Sequence, residues 1–208
     1  MSRTIGRNLD AYYRLHAPIY DLTRPFFLFG RGRLIAELAA RYRDPSRPPP
    51  RVLEVGCGTG RNLASLSQAF PLSRLVGIDL SEAMLKHARR RLRCKAELIH
   101  GSLGEVDLGA PFDIVIASYM LSMTGDEQAR CIAAMRALLA PGGWLGVVDF
   151  HSTPFGAFQS WMQRNHVRFD GGLPARMAAS PSGIEPDVSF ATYAAYAGCW
   201  RYFTWVGH

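Results

Sequence analysis

Residues 52–60 read Val52-Leu53-Glu54-Val55-Gly56-Cys57-Gly58-Thr59-Gly60, a β-rich run that breaks into three alternating glycines. This pattern predicts a buried strand, a tight turn and the start of a helix, because glycine lets the backbone turn sharply and lets a ligand come close to it. Asp79 stands 19 positions beyond Gly60 and closes a second β-rich run, Arg74-Leu75-Val76-Gly77-Ile78. An acid at the end of the next strand is where a carboxylate can take both hydroxyls of a ribose. Strand, glycine loop, helix, strand and acid together open a doubly wound α/β fold that binds a nucleotide beyond its strand ends.

The pattern continues outward in both directions. Ser81 caps a helix running to Leu92, Glu97–His100 reads as a third strand, and Phe112–Ala117 as a buried fourth. Thr124-Gly125-Asp126-Glu127 reads as a capping box, with Ile132, Met135 and Leu139 on one helical face until Ala140-Pro141-Gly142-Gly143 stops it. Trp144–Phe150 supplies a fifth strand, and Trp200–Val206 is expected as an edge strand that closes the sheet. Strands alternating with helices of this length imply right-handed βαβ units and a mostly parallel sheet. Upstream, Pro48-Pro49-Pro50 forms a rigid connector that separates residues 1–46 from the alternating region 50–208. Helical spacing covers Asn8 to Tyr20 and Gly32 to Tyr42, so the first segment is expected to be a helical lid and substrate segment.

Bulk properties narrow the function classes. A chain of 208 residues, 48% hydrophobic and 20% charged, fits one globular domain rather than disorder. The net charge of +7 suits an anionic partner, whether nucleic acid, a membrane surface or an acidic metabolite. Cys57, Cys94, Cys131 and Cys199 are scattered without zinc-type spacing, as expected of reduced thiols in a cytoplasmic protein with no metal. There is no signal-peptide pattern at Met1–Arg7 and no apolar run of about 18 residues. Any action on lipid is therefore expected from the inner face of the membrane, as a peripheral protein.

The loop also discriminates between nucleotides. A dinucleotide fingerprint needs a small residue where Arg61 stands, and Glu54 would repel a pyrophosphate. A phosphate-binding loop would need Gly-Lys-Ser/Thr after a four-residue gap, which is absent. A ligand carrying an ammonium and a sulfonium tolerates the acid, which favours adenosylmethionine over NAD.

Residues 52–60 resemble the first motif of class I S-adenosylmethionine-dependent methyltransferases, and Val76–Leu85 is similar to their second. Phe112–Val115 resembles their fourth strand and Leu139–Gly143 the turn before the fifth. The resemblance implies a seven-stranded, Rossmann-like sheet and S-adenosylmethionine as cofactor, with S-adenosylhomocysteine as product and no metal. It implies that Glu54, the backbone of Gly56, Cys57, Gly58 and Gly60, and Asn62 hold the amino-acid end. Asp79 would take the ribose, with Leu80, Ser81 and Met84 beside the adenine. Family members often carry an acid for the adenine amine where this chain has Ser102 and Leu103, so that contact would be weaker or made by backbone. Ser118, Tyr119 and Met120 would face the methyl group.

For the acceptor, Tyr20-Asp21-Leu22-Thr23-Arg24 with Gly30-Arg31-Gly32-Arg33 resembles the lead-in of bacterial betaine-lipid N-methyltransferases, which trimethylate diacylglycerylhomoserine. Phosphatidylethanolamine N-methyltransferases and enzymes for a small-molecule amine are the rivals. This resemblance implies substrate contacts from Tyr20, Asp21, Arg24, Arg33 and His166. Tyr20, Tyr119 and His151 are candidates for positioning or for proton acceptance, since aromatic faces attract methylated ammonium and histidine titrates near neutrality. Phe26, Phe27 and Phe29 among arginines could enter an anionic membrane interface, at about 1 kcal/mol per basic residue, or simply pack helices on the sheet. Lys86, Arg89, Arg90, Arg91, Arg93 and Lys95 suit a helix C-terminus without any partner. Nucleic acid is not expected as a partner, because Ser118-Tyr119-Met120-Leu121 stands where an N/D-P-P-Y/F motif would be.

Overall fold

The computed structural model describes residues 27–44, 46–109, 111–179 and 187–208. The expected helix from Asn8 to Tyr20, together with Asp21, Arg24 and Phe26, lies outside the described residues. The chain runs α1 (Arg31–Arg41), β1 (Arg51–Val55), α2 (Arg61–Ala69), β2 (Arg74–Asp79), α3 (Glu82–Leu92), β3 (Glu97–His100) and β4 (Phe112–Ser118). After the single 3-10 turns Leu121–Met123 and Gly125–Glu127 come α4 (Gln128–Ala137), β5 (Leu139–Ser152), α5 (Gly156–Arg164), α6 (Leu173–Ala178), β6 (Ser189–Ala195) and β7 (Trp200–Gly207). The seven strands form one sheet in the order β3-β2-β1-β4-β5-β7-β6. The first five pair in parallel, and β7 is antiparallel to both β5 and β6.

Strand periodicity sorts the core into two layers. On β4, Ile114 and Ile116 join one buried cluster with Leu34, Leu63, Leu66 and Leu85 of α1, α2 and α3. Val115 and Ala117, pointing the other way, join a second cluster with Ile132 and Met135 of α4 and Leu173 and Met177 of α6. Helices therefore cover both faces. The chain winds from β1 outward through β2 and β3, then returns to β4 on the other side of β1. That reversal opens a crevice beyond the carboxyl ends of β1 and β4.

Three local expectations are corrected. β7 is an inner strand, and the edge belongs to β6, whose Ser-Phe-Ala-Thr-Tyr-Ala-Ala carries too little alternation to announce itself. The capping box does not form: Thr124 Oγ1 donates to Leu121 O at 2.8 Å instead, and α4 starts at Gln128. Leu139 is not on that helix but pairs with Phe112 at the start of β5, ahead of a register shift.

The described part of the N-terminal segment is integral to the core. α1 buries Leu34, Ile35 and Leu38. Phe27 stacks on Trp200 with centroids 5.4 Å apart, and Phe29 lies 6.2 Å from Tyr202, so both pack on β7 rather than facing outward. Gly30 enters α1 at φ +80°, and a Cβ there would stand 2.5 Å from the Tyr202 ring. Gly30→Ala is expected to cost about 1–3 kcal/mol in urea unfolding, through overpacking and left-handed strain together.

Candidate active site

At the end of β1 the backbone turns with Gly56 N and Cys57 N both donating to Ile78 O, at 2.9 and 3.1 Å. Gly60 then starts α2 in the left-handed region. A side chain at Gly56 (φ +70°) would be strained and would displace Met120, whose Cγ lies 2.8 Å from the Cβ position. Gly58 (φ +53°) has nothing within 4 Å of that position, so open space adjoins the loop.

Asp79 ties the loop to β2. Its Oδ2 accepts from Gly58 N at 2.7 Å and its Oδ1 from Ser81 N at 2.9 Å. Ser81 caps α3 by accepting from Met84 N. Burial raises the Asp79 pKa, and the N–H donors of Ser81 and Gly58 oppose that rise. Each Asp79 oxygen has acceptor capacity beyond its one N–H, and Asp79 lines the cleft, a good match for a vicinal diol.

Glu54 is the most constrained acid. It is 2% exposed, and its Oε1 accepts from Asn62 Nδ2 at 2.8 Å, while the same amide nitrogen donates to Ser118 Oγ at 2.8 Å. Its Oε2 is buried without a hydrogen-bond partner among the described residues. Burial pushes the Glu54 pKa up to about 8, against the pull of Arg31 and Asn62. An orphaned buried acceptor is costly, and a ligand ammonium would satisfy it.

These groups line one open cleft of roughly 1510 Å³, solvent at its mouth included. Leu80, Met84, Ser102, Leu103 and Gly104, which follow β2 and β3, line it on that side. Ser118, Tyr119, Met120, Met123 and Thr124 line it at and after the end of β4. Tyr119 is buried at φ +56°, and its hydroxyl donates to Phe29 O at 2.7 Å. Burial, then the nearby Asp149, raise its pKa well above the ordinary value. The phenol therefore stays protonated near neutrality and has no capacity to accept a proton there.

The remaining expected residues stand elsewhere. Tyr20, Asp21 and Arg24 lie outside the described residues. Arg33 is exposed and packs over Tyr193, 5.0 Å from its ring centroid, instead of lining the cleft. Two positions along a helix turn a side chain about 200° away, so it is Arg31 that lines the cleft. His151 does not line it either. Strand alternation turns His151 toward Phe203, its Nδ1 lies 3.0 Å from Ser152 Oγ, and burial with Arg201 lowers its pKa. His166 is exposed at the end of α5, also off the cleft. Sequence reasoning missed Arg31 and the wall given by Glu127, Arg130, Cys131 and Ala134 around the start of α4. Among the described residues no group of three or more His, Cys, Asp or Glu could hold a metal.

Comparison with known proteins adds the chemistry. A methyltransferase-domain family matches residues 52–143. The chain is 34% identical over 172 residues to the dTDP-3-amino-3,4,6-trideoxy-alpha-D-glucopyranose N,N-dimethyltransferase of Streptomyces venezuelae, covering 79% of this chain and 69% of that one. It is 31% identical to the trans-aconitate 2-methyltransferase of Methylobacterium nodulans, covering 82% of this chain and 66% of that one. It thus spans about two thirds of the length of these two relatives. Among solved structures, the Burkholderia thailandensis 1,6-didemethyltoxoflavin-N1-methyltransferase, with bound 1,6-didemethyltoxoflavin and S-adenosylhomocysteine, superposes at TM-score 0.70. That match has 18% identity and covers 98% of this chain and 86% of that one.

Proposed function

The chain belongs to the methyltransferase-domain family of S-adenosylmethionine-dependent enzymes, and from that premise we propose that its acceptor is the amine nitrogen of a small molecule. The observation that carries this reading is the 34% identity, over 79% of the chain, to an enzyme named for N,N-dimethylation of an amino sugar. The cofactor residues divide as the geometry favours: Glu54 Oε2 for the ammonium, the Gly56–Gly60 backbone for the amino-acid chain, Asp79 for the ribose, and Leu80 with Met84 for the base.

When bound, the cofactor supplies a methyl group already activated on a sulfonium, so the chain positions rather than activates. Tyr119 and Met120 close the wall next to the glycine loop, and Met123 and Thr124 extend it. The titratable side chains on this wall are otherwise engaged: the Tyr119 proton by Phe29 O, the Cys131 thiol raised by burial, and the Glu127 carboxylate paired with Arg130 at 3.5 Å. The acceptor therefore arrives as a neutral amine, and its proton leaves to solvent after transfer. Arg31, beside Glu54 and 5.8 Å from the Tyr119 centroid, suits a carboxylate or other anionic end of a ligand.

A lipid headgroup amine, diacylglycerylhomoserine foremost, is the second reading, and one observation favours it. Phe155, Trp161 and Tyr196 are about half exposed, with Arg164 and Arg201 also on the surface. Trp161, Phe158, Trp200 and Tyr196 join in one ring-to-ring chain. Such a patch suits an anionic interface. No described helix is long and apolar enough to cross a membrane.

The deciding experiment supplies methyl-tritiated S-adenosylmethionine with three acceptors in parallel: amino-sugar nucleotides, trans-aconitate, and vesicles containing diacylglycerylhomoserine or phosphatidylethanolamine. Label in a water-soluble amine is the expected result. Label only in the organic phase would install the lipid reading, and label only in trans-aconitate would overturn the amine altogether.

A further inference from the structure

Asp149 is fully buried near the end of β5 and pairs across the sheet with Phe203. Its Oδ1 accepts from Phe150 N at 2.8 Å, and its Oδ2 from Ser122 N at 3.0 Å. Ser122 is the middle residue of the 3-10 turn Leu121–Met123, so a carboxylate from a neighbouring strand caps that turn. The carbonyl side of the turn is held separately: Arg168 N donates to Ser122 O at 2.9 Å and Gln128 Nε2 to Leu121 O at 3.1 Å. The turn matters because it carries Met120 and Met123 into the cleft. Met120 lies directly over Gly56, filling the place of its missing side chain.

We propose that Asp149 is the positioning residue of this site: its bond to Ser122 N–H sets the turn that presses Met120 onto the glycine loop and places Met123 in the acceptor wall. This rests on the cofactor site and not on the acceptor's identity. Burial pushes the Asp149 pKa up to about 6, opposed first by the Ser122 hydroxyl and then by the backbone N–H groups of Ser122, Phe150 and Leu121. Of the groups around it, Tyr119 on β4 feels its charge. Arg31 of α1 and Tyr202 on β7 act on the same Tyr119 hydroxyl, and His151 stands two positions along β5. The native state holds this proton at pH values where the unfolded chain has lost it, so ionisation costs stability as pH rises toward 6. A fold that retains such a charge is using its acceptor strength. Protonation leaves a weaker acceptor for Ser122 N–H and loosens the turn.

The test labels the methionine methyl groups with carbon-13, assigns Met120 and Met123 by single Met→Leu variants, and titrates the protein with S-adenosylhomocysteine bound. Both signals are expected to shift together with a midpoint near 6 in the wild type and to lose that transition in Asp149→Asn, with S-adenosylhomocysteine still bound. Methionine signals that are pH-silent in the wild type, or that keep their transition in the variant, overturn the proposal. Should Asp149→Asn not fold, carboxyl-labelled aspartate in the wild type decides: the Asp149 carboxyl must share the methionine midpoint, and a different midpoint overturns the assignment. Failure to bind S-adenosylhomocysteine at any pH would instead strike the cofactor site itself.

Discussion

Asp79→Asn is expected to weaken S-adenosylhomocysteine binding by about a hundredfold at neutral pH, read by isothermal titration calorimetry. The carboxylate is already committed on one side, to Gly58 N at 2.7 Å and Ser81 N at 2.9 Å. An amide offers one acceptor atom where the carboxylate has two, so its nitrogen must face either an N–H of the loop or a ribose hydroxyl. Charge-assisted bonds contribute about 1.5–3 kcal/mol each. Losing one and weakening the other comes to roughly 2.8 kcal/mol, or two powers of ten. Folding should suffer less, because the variant also removes a charge that burial disfavours. A dissociation constant within about threefold of wild type would remove the ribose from Asp79, whatever the loop does.

Much of this half of the site was legible because it is local. Glu54, Gly56, Gly58 and Asp79 lie on consecutive strand ends, and the pairing of Val55 with Ile78 brings them together. Ser81 likewise declares its cap within three residues. The other half depends on distant packing. Arg31 reaches the cleft only because α1 docks across the sheet, and helical phase favours it over Arg33, the residue expected there from the sequence. Glu127 and Arg130 enter because the expected capping box gives way to two 3-10 turns, so the chain reaches α4 along the cleft. His151 looked available beyond a strand, yet alternation sends it against Phe203. The edge strand β6 was silent because small and polar residues dilute its period, and β7 took its place in the reading. Asp149 was read only as part of the fifth strand. Nothing in Val147-Val148-Asp149-Phe150 says that the acid will cap a turn 27 residues earlier.

Glu54→Gln should separate binding from stability in opposite directions. In the ligand-free protein burial pushes the Glu54 pKa up to about 8, so the carboxyl is mostly neutral at pH 7. A ligand ammonium at Oε2 favours the carboxylate, and binding then releases a proton. Affinity for S-adenosylhomocysteine should therefore rise with pH toward 8, by up to about tenfold per unit. Calorimetry at pH 7 in two buffers of different ionisation enthalpy should show net proton release approaching one. Glutamine carries no charge at any pH, so the variant should lose that slope and bind about 30- to 100-fold more weakly at pH 8. For stability the sign reverses. Between the ordinary carboxylate value of 4.5 and about 8 the native state holds a proton that the unfolded chain has released, so wild-type stability falls as pH rises through that window. Glutamine removes this dependence, and the melting temperature of the ligand-free variant should overtake the wild type increasingly from pH 5 to pH 8. An unchanged binding slope in the variant would mean that the ammonium is held elsewhere. A stability gain without any loss of affinity would mean that the buried acid serves no ligand, which would leave its retention inside the fold without a physical reason.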